Sequence, residues 1–125
     1  MCGFMEKEFL YINSRDELLR IDISQIVYFE ANGNYTNIVV SNKLKSLANM
    51  NLAQTEKALE TRLKEKASIF ARVGKRFIVN LNYVYHINLT KQALVLTDYK
   101  NFVFQLPISK EALRKLKDIY LKTQS

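Results

Sequence analysis

Ile26-Val27-Tyr28-Phe29-Glu30-Ala31-Asn32-Gly33-Asn34-Tyr35-Thr36-Asn37-Ile38-Val39-Val40 is the stretch on which the fold class turns. β-Branched and aromatic residues flank an Asn-Gly-Asn centre. Such residues fit a pleated surface, and Asn-Gly tolerates the positive φ that tight hairpin turns require. The stretch therefore reads as two antiparallel strands, 26–31 and 35–40.

Upstream, Phe9-Leu10-Tyr11-Ile12-Asn13 reads as a strand and 17–21 as its hairpin partner across Ser14-Arg15-Asp16. Downstream, 43–46 adds a short strand. Residues 51–64 change period: Asn51 can cap, and Leu52, Thr55, Leu59 and Leu63 share one helical face. The charged run 72–76 suggests an exposed loop entering a short buried strand at 77–80. Residues 84–89, 93–97 and 102–106 alternate, with turns at 90–92 and 98–101. Pro107 should stop the last strand, since proline donates no ladder hydrogen bond. Ser109 can cap a closing helix, 110–122, whose apolar face carries Leu113, Leu116 and Tyr120. The sum is a mostly β fold of eight or nine short strands and two helices.

The 125 residues suit one domain, and 48% apolar with 25% charged residues is ordinary for a globular protein. We expect a flexible segment 1–8, a domain 9–122 and a tail 123–125. No run approaches the ~20 apolar residues of a membrane span, and no signal-peptide stretch is seen, so a cytoplasmic protein without membrane contact is expected. The single cysteine, Cys2, forbids an internal disulfide, and with one histidine, His86, no metal site or cofactor is expected. Met1-Cys2-Gly3 resembles the start of amidotransferases with an N-terminal cysteine nucleophile, but the match is three residues long. Phosphate-binding glycine loops, GxSxG and paired-histidine motifs are absent, and His86 sits in an alternating strand. No catalytic residue is assigned, and the chain does not read as an enzyme.

Charge points to a partner. Residues 1–60 carry 6 Lys/Arg and 8 Asp/Glu, a balance of −2, whereas 61–125 carry 13 and 4, a balance of +9. A basic half suits an anionic partner: nucleic acid, an acidic protein or an anionic membrane surface. Sequence-specific DNA binding needs cations for phosphates and polar groups that reach base edges. Three segments supply both: Asn32, Asn34, Thr36 and Asn37 around the Asn-Gly turn; Arg72, Lys75 and Arg76; and Ser109, Lys110 and Arg114. Taken singly, each is equally well a turn, a solvated loop or a solvent-facing helix flank.

Their order resembles the LytTR family of DNA-binding domains. Members show a stretch like 26–35, then a helix, then a segment like Phe70-Ala71-Arg72-Val73-Gly74-Lys75-Arg76-Phe77-Ile78-Val79-Asn80, and an ending like Leu106-Pro107-Ile108-Ser109-Lys110. The similarity covers roughly residues 9–120. Gly74 stands where many members carry histidine and Arg76 where many carry serine, so one hydrogen-bonding side chain is lost and one charge gained.

The resemblance implies an elongated, mostly β fold of about ten strands in three small sheets with two short helices. It also implies that loops enter successive major grooves of double-stranded DNA, as the output domain of a bacterial transcription regulator. By motif position, Asn34, Thr36, Asn37, Lys75 and Lys110 would read bases, and Arg72, Arg76, Ser109 and Arg114 would serve phosphates. Asn80 would hold the loop before Phe77 by side-chain to backbone bonds, and Glu30 would do similar work. A monomer that pairs on direct repeats is implied, with a receiver or sensor domain elsewhere. The alternative is a β-rich protein-interaction module whose basic face meets an acidic partner.

Overall fold

A computed structural model describes residues 8–124. Of the expected flexible segment 1–8 only Glu8 falls within them; Cys2 and Ser125 lie outside.

Ten strands and two helices are present: β1 Phe9–Asn13, β2 Leu18–Asp22, β3 Ile26–Asn32, β4 Tyr35–Val40, β5 Lys45–Ala48, α1 Leu52–Leu63, β6 Phe70–Val73, β7 Phe77–Asn80, β8 Val84–Asn88, β9 Ala93–Thr97, β10 Val103–Pro107 and α2 Lys110–Gln124. They form a β1-β2 hairpin, a central sheet in the order β5-β4-β3-β7-β6 and a third sheet in the order β10-β9-β8. Every pairing is antiparallel.

The central sheet is covered on both faces, which explains the near-continuous apolar run of β3. Cross-strand partners share a face. Phe29, opposite Ile78 and Ile38, points into a core built with Leu10, Leu52, Leu59 and Leu63. Tyr28, opposite Val79, points into the other, built with Leu94, Leu96, Leu106, Leu113 and Leu116. The β3–β4 register shifts between Ile26 and Tyr28, and Val27 and Tyr28 both join the second core. An irregularity of this kind re-aims a side chain that strict alternation would send to the other face.

Local chemistry sets the element ends. The Asn51 side chain accepts from the Gln54 N–H, and the Gln54 side chain accepts from the Asn51 N–H, a reciprocal cap at the start of α1. The tight turn of the β3–β4 hairpin is Gly33-Asn34, with Gly33 at φ +62°. Glycine thus takes the first central position, where only a residue free of Cβ crowding sits without strain.

Some expectations shift. Arg72 and Val73, read as part of an exposed loop, belong instead to the edge strand β6, Phe70–Val73. Pro107 ends β10 from inside the strand; β10 is an edge, so its missing N–H faces no partner strand. Short 3-10 segments at 23–25, 64–69 and 81–83 link neighbouring elements. α2 continues to Gln124, two residues past its expected end. No helix among the described residues is long and apolar enough to cross a membrane.

The β9–β10 turn is organised by Asp98. One oxygen of its carboxylate accepts from the N–H groups of Lys100, Asn101 and Phe102, and the other from the Asn101 side chain. Desolvation pushes its pKa up, but these hydrogen bonds outweigh it and bring it from an ordinary 3.8 down to about 2. A depressed carboxylate stabilises the fold above its unfolded pKa, and that contribution fades as pH falls from about 4 through about 2. Urea midpoints of the wild type and of Asp98→Asn, measured from pH 5 down to pH 2, should therefore converge. A gap that stays constant across that range would show that the turn does not depend on the ionised carboxylate.

Candidate nucleic-acid interface

β7 runs antiparallel to β3 with Phe77 opposite Glu30, so the β6–β7 turn lies at the same end of the sheet as the Gly33-Asn34 turn. The Ala31 N–H donates to the Arg76 carbonyl at 2.8 Å and ties the two together. Gly74, at φ +68°, backs onto α2: a Cβ built there would lie 3.7 Å from the Ala112 Cβ. Between the loop and the helix runs a groove with Phe77, Ile108 and Leu116 in its walls and Arg72, Lys75, Arg76 and Lys115 among its polar residues. Two of the three segments singled out in the sequence are thus in contact, and the third shares their end of the sheet.

Individual residues divide into three groups. Asn34, Lys75, Lys110 and Arg114 are exposed, and Asn37 is half-buried beside Glu30 in the β3–β4 ladder. Among the described residues no ion pair engages Lys75, Lys110, Arg114 or Lys115.

A second group is exposed but engaged. Arg72 Nη1 lies 3.2 Å from Glu56 Oε1, while Nη2 donates to the Lys75 carbonyl at 3.3 Å. Arg72 therefore braces the turn from below. Arg76 Nη2 lies 2.7 Å from Glu30 Oε2. Ser109 Oγ accepts from the Ala112 N–H at 3.3 Å, and its carbonyl accepts from the Leu113 N–H at 3.0 Å. Its hydroxyl caps α2.

Thr36 stands apart and corrects the expectation of a base contact. It is 0% exposed. Its hydroxyl donates to the Met50 carbonyl at 2.8 Å and lies 3.3 Å from the Thr55 hydroxyl. On β4 it faces α1, like Ile38 two residues on, so its side chain anchors the hairpin to the segment before the helix. Asn80 is also buried, but it holds a different element from the one expected. Its Nδ2 donates to the Ile26 carbonyl at 2.8 Å, and its Oδ1 accepts from the Asn82 N–H at 2.9 Å. These bonds fix the start of β3 and the turn after β7, not the 74–76 loop.

Sequence reading did not single out Lys115. It lines the groove with Glu111, Ala112 and Ile119. Lys110 and Arg114, four apart, share a flank roughly 100° further round the helix. Only the docking of the β6–β7 loop against α2 tells these flanks apart.

No group of three or more His, Cys, Asp or Glu side chains among the described residues is arranged to hold a metal. His86 is exposed on β8, with its ring 6.4 Å from that of Tyr85.

A family model described as the LytTr DNA-binding domain matches residues 16–120. Two curated relatives, the heme-containing CO-sensing transcriptional regulators RcoM 2 and RcoM 1 of Paraburkholderia xenovorans (strain LB400), are each 29% identical over 107 residues, covering 84% of this chain. The matched part spans 37% of each relative's length. Among solved structures, the LytTr DNA-binding domain assigned to a methyl-accepting/DNA response regulator from Bacillus cereus superposes with a TM-score of 0.64 at 20% identity. That superposition covers 92% of this chain and 98% of the other. It shows the shared fold of three small sheets and two helices.

Proposed function

This chain belongs to the LytTr DNA-binding domain family, and on that premise we propose that it binds double-stranded DNA in a sequence-specific way through the end of the central sheet that carries the turns at 33–34 and 74–76, the second of them packed against α2. One observation carries the reading. The free cations Lys75, Lys110, Arg114 and Lys115 and the exposed amide of Asn34 belong to segments that converge at that end. Phosphate binding needs uncompensated positive charge, and base reading needs side chains on projecting backbone. Both are present there.

In this reading Asn34, Asn37, Lys75 and Lys110 reach base edges, and Arg114 contacts phosphate, with Ser109 presenting the start of α2 to the backbone. Arg72 shapes the loop that carries Lys75. The domain serves transcription regulation, pairs on direct repeats, and answers to a receiver or sensor domain elsewhere in the regulator.

Selection of bound duplexes from a random pool tests the core of this. A selected duplex should be bound about a thousandfold more tightly than random DNA at equal salt, the lower edge of the usual gap between specific and non-specific binding. On that duplex, Lys75→Ala should relax preference at one or two base pairs, whereas Arg114→Ala should weaken all duplexes alike and flatten the salt dependence. A selected duplex bound no better than random DNA would defeat sequence-specific recognition and leave a basic protein-binding face as the better account.

A further inference from the structure

We propose that Arg76 is a specificity-determining residue that reads a guanine edge, and that Glu30 is the positioning residue that orients it. This rests on the interface proposed above.

The observation is the pair itself. Arg76 Nη2 meets Glu30 Oε2 at 2.7 Å, and the two side chains are 59% and 23% exposed. The guanidinium is therefore open to a ligand while the carboxylate behind it is largely shielded. Glu30 is a strand residue and Arg76 sits in the turn just before β7. Glu30 lies within β3, opposite Asn37 on one side and Phe77 on the other. The Arg76 carbonyl accepts from Ala31, and its guanidinium lies 5.4 Å from the Phe77 ring centre. The β3 ladders hold the Glu30 backbone and the bond from Ala31 holds that of Arg76, so the backbone is anchored at both ends of the pair.

Charge decides what such an arginine can bind. A guanidinium with a carboxylate 2.7 Å away forms a pair of no net charge. It adds little to phosphate attraction, which depends on uncompensated charge and counterion release. A base edge is a neutral set of dipoles and needs no net charge. Glu30 engages one Nη2 hydrogen, and the remaining donors stay in one fixed plane. The acceptor pair O6 and N7 of guanine in the major groove matches that planar fork. Arg72 provides the contrast: Glu56 takes one end of its fork and the Lys75 carbonyl the other, leaving it a brace.

The test uses the whole chain and its in vitro selected duplex, with every single base-pair change in that duplex measured for four proteins: wild type, Arg76→Ala, Glu30→Gln and the double variant. Arg76→Ala should lose discrimination at one G·C pair, by roughly 5- to 150-fold, and keep it elsewhere. Glu30→Gln should blunt preference at the same pair while making binding more salt-dependent, because it frees a positive charge. The double variant removes any repulsion from a bare Glu30 and should show the base preference of Arg76→Ala. Uniform weakening across all duplexes by Arg76→Ala and the double variant, with a flatter salt slope, would make Arg76 a phosphate contact and overturn the proposal. Unchanged preference in Glu30→Gln would overturn the positioning role. If Lys75→Ala and Lys110→Ala still impair binding while Arg76→Ala changes nothing, this inference alone fails. If all three bind every duplex like wild type, the interface itself lies elsewhere. Circular dichroism and thermal melts of each variant keep a folding defect apart from a binding one.

Discussion

Phe29→Ala should lower unfolding stability by about 3–5 kcal/mol, the usual cost of emptying a buried phenylalanine site. Phe29 is fully buried on β3, the middle strand of the central sheet. Its ring packs edge-on against Phe70 with centroids 5.6 Å apart, in the core that also holds Ile38, Leu59 and Ile78. Strands on both sides fix the backbone, so the site cannot collapse around the lost volume. In a domain of this size the loss should appear as a melting temperature lower by on the order of 10–20 °C. A fall of less than ~1 kcal/mol would mean that α1 settles into the gap and that this core is not rigidly packed. The residue is remote from DNA in the proposed arrangement, so the folded fraction should keep its base preferences.

Lys75→Glu combined with Lys110→Glu should cut affinity for the selected duplex by a factor on the order of 100 or more, since like charge placed against DNA costs several kcal/mol. Both lysines are exposed and without an ion pair among the described residues, so the fold should tolerate the change. Association with random DNA should fall as well, because a reversed charge repels the backbone of every duplex, and the dependence on salt should flatten. A control with the same change in net charge, Lys43→Glu with Lys45→Glu, reverses residues near the β4–β5 turn, at the opposite end of the sheet from 33–34. That control should lose far less. Equal losses from the two double variants would mean that net charge alone governs binding, with no localised interface.

Much of the fold could be read from the sequence because the signals are local. Strands 35–40, 77–80 and 93–97 and the Asn51 cap follow from alternation, from β-branched composition and from one side chain reaching its own helix start. Elements whose existence depends on a partner were less clear. β6 is short and carries Arg72, one of the three charges of the 72–76 run expected to be a loop, and it becomes a strand because β7 offers it an edge. The alternating rule also failed at Val27 and Tyr28, where a register irregularity against β4 sends neighbouring side chains into one core.

The candidate site divides along the same line. Its three segments were visible in the sequence as clusters of cations and amides, because side-chain chemistry is carried by each residue whatever the fold. Which members face outward was not. In a sheet buried on both faces, alternation gives two sides but does not say which of them a small polar residue joins, and so Thr36 reads as well for a groove contact as for the buried hydroxyl that holds Met50. The pairing of Arg76 with Glu30 joins residues 46 positions apart, and that of Arg72 with Glu56 joins residues 16 apart. Sequence by itself determined most of the strands, the caps, the turn glycines and the basic character of the chain, since each rests on interactions within a few residues. Tertiary structure decided which cations are free and which are neutralised, because a charge is cancelled by whatever the fold brings within hydrogen-bonding distance, and that neighbour comes from a different strand or helix.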